Sequence, residues 1–312
     1  MKRILLIGLG KIAYQYDFPR QPNQTQHFLT HVYWANKVGN SVVFGIDNEE
    51  DRCKAFTRVT GIPSSVSLEE GLSLNPDIII ISCSAKSHLS VMRNLSSMQF
   101  KAKSLVIEKP LGLNYFQAKE ILEMAHAVSK RVYVNFTREF STGKKDLLAS
   151  IGELPTSATV IYGKDLIENG CHFIRLVLNF FPFSNKLPSI AVSESSKSLP
   201  SFQVTFESTK IDVISMDSQT RFFQITTKSN SEISVIQNND WYIYNGSTSK
   251  IEIKQRNQEA FGDGMRGLHT ELSENKMTDG EISKSLDLAL HTSYINSCAL
   301  GEILSERNVI NS

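Results

Sequence analysis

The chain is expected to fold as an α/β protein. An N-terminal doubly wound parallel sheet should be followed by a C-terminal α+β domain built on a largely antiparallel open sheet. Three observations carry this. An apolar run, Ile4–Ile7, leads straight into a glycine turn, as a buried strand leads into a helix. Strand and helix patterns then alternate as far as about residue 137. Beyond it, short segments with period-two alternation succeed one another, the pattern of antiparallel strands with one exposed face.

The opening stretch KRILLIGLGKIA contains Gly8, Gly10 and Ala13, a G-x-G-x-x-A form of the dinucleotide fingerprint. Gly8 makes the tight turn, Gly10 admits a pyrophosphate to the backbone, and Ala13 keeps the next helix close to the sheet. Backbone N–H groups around Lys11, Ile12 and Ala13 can then hold a diphosphate. A second strand, Ser41–Asp47, ends in a carboxylate placed to accept the adenosine ribose diol and repel a 2′-phosphate, which favours NAD over NADP. The spacing exceeds the usual ~20 residues. The excess is assigned to an insertion, Tyr14–Thr25, whose Pro19 and Pro22 cut the phosphate-binding helix short until helical patterning resumes over about Gln26–Val38.

Helical patterns are expected at about Glu49–Thr60, Leu68–Leu74 and Lys86–Met98, with strands at Asp77–Ser82, Ser104–Ile107 and Arg131–Asn135. Asn114 and Gln117 form a capping box before a helix with Ala118, Ile121, Leu122, Ala125 and Val128 on one face. The Rossmann domain is therefore placed at 1–137, and ligands belong beyond the carboxyl ends of its strands. The remainder, 138–312, is expected to bind substrate and oligomerise. It reads as a helix near Lys144–Ser150, a strand Ala158–Tyr162, a helix through Cys171–Phe181 and six alternating segments between Phe202 and Ile253. A final helix, opened by the Thr278/Glu281 capping box and running to about Glu306, is free to return to the first domain.

Composition narrows the function. At 312 residues the chain can build two cores, and 41% hydrophobic with 21% charged residues is ordinary for a soluble protein. A net charge of +1 gives no electrostatic case for nucleic acid or a membrane surface. No apolar stretch reaches a membrane span, and the fingerprint strand begins too early for a signal peptide, so a cytoplasmic protein is expected. The cysteines Cys53, Cys83, Cys171 and Cys298 lack metal-like spacing and read as reduced thiols; no metal is expected.

Glu108-Lys109-Pro110 at a strand end and His172 within Glu168-Asn-Gly-Cys-His172-Phe-Ile-Arg175, together with the fingerprint, resemble the glucose–fructose oxidoreductase/inositol dehydrogenase/rhizopine-catabolism (Gfo/Idh/MocA) family. The resemblance implies that Lys109 lies beside nicotinamide and substrate, and that Glu168, where aspartate is usual, and His172 face the same pocket. It likens Ser84–His88 to the family's P-x-x-x-H turn, and Asn135 and Arg138 to polar residues after the sixth strand. Ser82, Ser84, His88, Glu108 and Lys109 are accordingly expected at the cofactor. Tyr16-Asp17 and Thr30-His31 resemble members found in surface-polysaccharide gene sets, pointing to a sugar or nucleotide-sugar substrate.

The chemistry is coherent on its own terms. Oxidation of a secondary alcohol needs a base for the hydroxyl proton while hydride leaves, and histidine is poised for that near neutral pH. An ammonium such as Lys109 would stabilise the alkoxide and lower the histidine's pKa. Where the family commonly carries a second aspartate, this chain has Arg175, which either recognises an anion bidentately, marks retuned or lost catalysis, or points into solvent. Arg20, Lys109, Arg138 and Arg175 outnumber Glu168 and favour an anionic substrate, against a neutral polyol if Arg20 and Arg175 are solvated. Two other functions stay open: a catalytically silent NAD-binding regulatory protein, and a lyase or epimerase with tightly held NAD. A homodimer or homotetramer through the C-terminal sheet is expected.

Overall fold

In the computed structural model the described residues are 1–18, 28–141, 144, 155–163, 165–181, 186–194, 200–206, 209–216, 222–227, 232–236, 240–245, 250–255 and 260–302. They fall into two compact units, one of Met1–Ser141 with Phe261–Leu286 and the other of Thr142–Ala260 with Asp287–Ser312. The first unit thus ends four residues later than the expected boundary at 137 and takes back a segment that had been placed in a continuous 138–312 domain.

The first unit is built on six parallel strands: β1 (Arg3–Ile7), β2 (Ser41–Ile46), β3 (Ser64–Ser65), β4 (Ile78–Ile81), β5 (Ser104–Glu108) and β6 (Arg131–Asn135), in the order β3-β2-β1-β4-β5-β6. The order reverses between β1 and β4, which makes the switch point of a doubly wound sheet. The central strands are apolar without alternation, and every residue of β4 is fully buried, as a strand covered on both faces requires. The connecting helices are α1 (His31–Lys37), α2 (Glu50–Thr60), α3 (Leu68–Ser73), α4 (Ala85–Ser97) and α5 (Tyr115–Val128). Asn114 caps α5 by accepting from the Gln117 N–H at 3.0 Å, while the Gln117 side chain turns back to the Leu113 N–H.

After the glycine turn the chain makes one wide helical turn, Lys11–Gln15, instead of a full helix, and resumes only at α1. Residues 19–27, with Pro19, Arg20 and Pro22, lie outside the described residues. Asp17 ties the segment's two flanks together by accepting from the N–H groups of Leu29 and Thr30 and from the Thr30 hydroxyl. Thr30 in turn caps α1.

Helix α7, Ala260–Glu274, belongs to the first unit from Phe261 onward. Gly264 and Gly267, one helical turn apart, let it approach the Thr137–Phe140 turn so closely that a β-carbon would lie 2.0 Å from the Thr137 carbonyl oxygen and 1.9 Å from that of Phe140. At its C-terminal end Glu271 accepts from the Arg131 guanidinium and the Tyr133 hydroxyl, both at 2.9 Å, and from the N–H groups of Lys276 and Met277. These bonds join α7 to β6.

The second unit holds an eight-stranded sheet. Its strands are β7 (Pro155–Tyr162), β8 (Ser189–Glu194), β9 (Ser201–Phe206), β10 (Thr209–Ser215), β11 (Phe222–Thr227), β12 (Glu232–Ile236), β13 (Asp240–Asn245) and β14 (Lys250–Gln255). The order is β14-β13-β12-β11-β7-β10-β9-β8, antiparallel except for the β7–β10 pair. Alternation puts Phe202 and Val204 of β9 and Ile211 and Val213 of β10 in the core. Helix α6, Cys171–Leu178, is buried along its whole length. A last helix, α8 (Asp279–Ala299), starts at the expected capping box, in which Thr278 and Glu281 bond reciprocally, and passes from the first unit into the second. The expected extension to Glu306 and nearly all of the expected Lys144–Ser150 helix lie outside the described residues.

Candidate functional site

The glycine turn is held from both flanks. Gly8 has φ +93°, a conformation that L side chains rarely adopt, and a β-carbon there would lie 2.3 Å from the Cys83 backbone nitrogen. On the β2 side the Asp47 carboxylate accepts from the Leu9 N–H at 2.8 Å and from the Glu49 N–H at 3.1 Å. On the β4 side the Ser82 hydroxyl donates to the Gly8 carbonyl at 2.7 Å. Ala13 is fully buried, close against the sheet as the fingerprint requires. At Gly10 a β-carbon would meet nothing within 4 Å, so the turn leaves open space above its second glycine.

That cradle fits a dinucleotide pyrophosphate: an open approach at Gly10 and the first N–H groups of the Lys11–Gln15 turn, which have no partner within the turn. Lys11 is exposed and Ile12 half-buried there. Asp47 is only 5% exposed, and its two backbone bonds leave lone pairs for a ribose diol rather than a free carboxylate. Arg52, half exposed, pairs with Glu49 at 2.9 Å and has a guanidinium nitrogen 3.9 Å from Asp47.

Ser84 is exposed and precedes α4 without capping it through its side chain. His88 is fully buried, with Nδ1 3.1 Å from the Leu111 carbonyl and Nε2 3.1 Å from the Cys83 carbonyl. It bridges two strand-end loops. Burial pushes its pKa down, against the pull of the carbonyls it faces. Cys83, beside Gly8, has its thiol pushed up to about 12 by burial, so it stays a neutral thiol.

Glu108 and Asn135, opposite one another on β5 and β6, are likewise buried. Glu108 Oε1 lies 2.9 Å from His31 Nε2 and accepts from Asn135 Nδ2 at 2.5 Å. Both side chains thus take part in a buried cluster. Lys109 and Arg138, each half-buried, lie at the same carboxyl edge of the sheet.

His172 and Arg175 sit on α6 of the second unit. Arg175 is 1% exposed, which removes the solvated alternative. His172 is also buried. Residue 168 lies in a wide turn, Leu166–Gly170, closed by the Gly170 N–H donating to the Asp165 carbonyl, directly before α6.

Residues 2–136 match the family model GFO_IDH_MocA, described as the oxidoreductase family with an NAD-binding Rossmann fold. A comparison with curated protein sequences finds no match. Among solved structures, UDP-N-acetylglucosamine 3-dehydrogenase GnnA from Acidithiobacillus ferrooxidans is similar at TM-score 0.71 and 12% identity, over 96% of this chain and 98% of that one. An oxidoreductase from Agrobacterium radiobacter, in complex with NAD+, L-tartaric acid and magnesium, is similar at TM-score 0.71 and 11% identity, over 99% of each chain. KijD10, a 3-ketoreductase from Actinomadura kijaniata in complex with TDP-benzene and NADP, has TM-score 0.65 and 15% identity, over 94% of this chain and 96% of that one. At these identities the structural likenesses establish the fold.

Proposed function

We propose that this protein is an NAD(H)-dependent dehydrogenase or reductase. It moves hydride between the nicotinamide and a hydroxyl or keto carbon of a sugar or nucleotide-sugar derivative. The observation that carries the reading is the cradle of Gly8, Gly10 and Asp47 at the switch point of a sheet whose carboxyl edge also bears Lys109. Bound at that edge, the cofactor supplies the hydride acceptor or donor. Lys109 holds the substrate oxygen and stabilises alkoxide charge, while His172 takes or returns the hydroxyl proton, with Glu168 and Arg175 on the same stretch of the second unit. Arg138, and Arg20 from the insertion, are assigned to an anionic part of the substrate. A sugar-type substrate is supported by two structural relatives, a UDP-N-acetylglucosamine 3-dehydrogenase and a 3-ketoreductase in complex with TDP-benzene. Pairing of the second unit's sheet with another copy is supported by exposed Val192 and Ile214 on its strands and Met216 just beyond β10.

The test is turnover of neutral sugars, sugar acids and nucleotide sugars, followed by the absorbance of reduced nicotinamide. Lys109→Ala and His172→Ala should each lower kcat by ~10²–10⁴ with cofactor affinity nearly unchanged. Near-full activity in either variant would remove that residue from the mechanism.

A further inference from the structure

A chain of hydrogen bonds runs through the core of the first unit. Glu108 Oε1 lies 2.9 Å from His31 Nε2, and His31 Nδ1 lies 3.1 Å from His269 Nε2. The four elements β5, β6, α1 and α7 contribute Glu108, Asn135, His31 and His269 respectively, and all four side chains are buried. At both ends a polar atom lacks a hydrogen-bond partner among the described residues: Asn135 Oδ1 and His269 Nδ1. His88 on α4 also feels the charge of Glu108, and Lys109 is the next residue in the chain.

The geometry allows two proton arrangements. In one, His31 is neutral and donates through Nε2–H to the Glu108 carboxylate, while its Nδ1 accepts from His269 Nε2–H. His269 Nδ1 is then a bare lone pair, and the cluster carries one buried negative charge. A proton added at His269 Nδ1, with the Nε2 proton of His269 passed to His31 Nδ1, gives an imidazolium–carboxylate pair, and the cluster becomes neutral. His269 remains uncharged in both arrangements, in keeping with burial and the neighbouring His31 holding its pKa well below the usual histidine value.

We infer that Glu108, His31 and His269 form a proton relay whose occupancy follows the charge on the nicotinamide ring, with His31 acting through Glu108 as a positioning residue. The inference rests on the cofactor reading. With the adenosine ribose at β2 and the pyrophosphate at β1, the nicotinamide end falls toward β4 and β5. The oxidised ring is cationic and favours the anionic cluster; the reduced ring is neutral and favours the protonated pair. For a ring-to-cluster separation of ~10 Å and an effective dielectric of about 20, that charge changes the cluster's proton affinity by roughly tenfold. Alcohol oxidation releases one proton as the ring loses its charge, and the relay takes up part of it.

The experiment counts protons rather than turnover. Calorimetric titrations with oxidised and with reduced dinucleotide, each in two buffers of different ionisation enthalpy, give the protons bound with each form across pH. At the cluster's midpoint the complex with reduced dinucleotide should hold about half a proton more than that with the oxidised form. The difference should vanish in Glu108→Gln and His31→Gln and persist in His126→Gln, an exposed control. No difference in the wild type, or one that survives in Glu108→Gln, overturns the relay. If neither dinucleotide binds, the cofactor reading fails instead, and ring nitrogen NMR of the unliganded wild type decides the relay. A single midpoint shared by His31 and His269 supports it; separate midpoints, or no change in either ring, overturn it.

Discussion

Replacing Asp47 by Asn keeps the shape and removes the charge at the end of β2. The two carboxylate oxygens accept from Leu9 and Glu49 N–H groups, so an amide satisfies one and turns an NH2 toward the other. With the amide oxygen kept on the buried Leu9 N–H, the mismatch falls at Glu49 and costs about 1–2 kcal/mol of stability. The effect on cofactor choice should be larger. A carboxylate ~5 Å from a 2′-phosphate, at effective dielectrics between about 20 and 80, disfavours it by about 1–3 kcal/mol, or roughly 5- to 150-fold. Arg52, 3.9 Å from Asp47, would be left to pair with that phosphate. Asp47→Asn should therefore lose about tenfold in NADH affinity as the charged acceptor for the ribose diol goes, and gain NADPH affinity, moving the ratio by ~10²-fold. Fluorescence titration of both reduced dinucleotides reads the ratio, and a denaturation midpoint reads stability. A ratio unchanged within about threefold would refute the electrostatic reasoning, and tighter NADPH binding by the wild type would refute the NAD assignment.

Two further outcomes concern the return of α7 to the first unit. Gly264→Ala would ordinarily stabilise a helix by ~1 kcal/mol, yet its β-carbon would press on the Thr137 carbonyl, so a net loss of about 3 kcal/mol in urea unfolding is expected; equal or greater stability would contradict the close approach. Glu271→Ala leaves the Arg131 guanidinium, the Tyr133 hydroxyl and two N–H groups without their acceptor, and should cost about 2–4 kcal/mol, with an unchanged denaturation midpoint as the refuting result.

What was legible in the sequence was what local pattern controls. The run Ile78–Ile81 and the glycine turn announced a covered parallel sheet, and the capping residues Asn114 and Thr278 placed two helix starts. Strand β3 is only two residues long, and β8 was passed over beside its serine-rich flank. Helix α7 was missed because Phe261-Gly-Asp-Gly-Met-Arg-Gly reads as a loop; its glycines serve a backbone contact made 127 residues away in the chain, a difference of Gly264 and Thr137. The site's supports are of the same kind. That Asp47 holds Leu9, that His88 bridges two loops, and that Glu108 and Asn135 turn inward to His31 depend on partners brought together by the sheet. Residue type alone named these positions as functional without showing which were cradle and which were scaffold.

The central claim, a dinucleotide held over the glycine turn, is tested most directly at Gly10. Its φ of −91° is open to any residue, and a β-carbon there meets nothing within 4 Å, so Gly10→Val should fold as stably as the wild type while filling the space reserved for the pyrophosphate. Titration with NADH should show saturable binding to the wild type and none to Gly10→Val at equal denaturation midpoints. Binding of equal strength to both proteins would contradict the account.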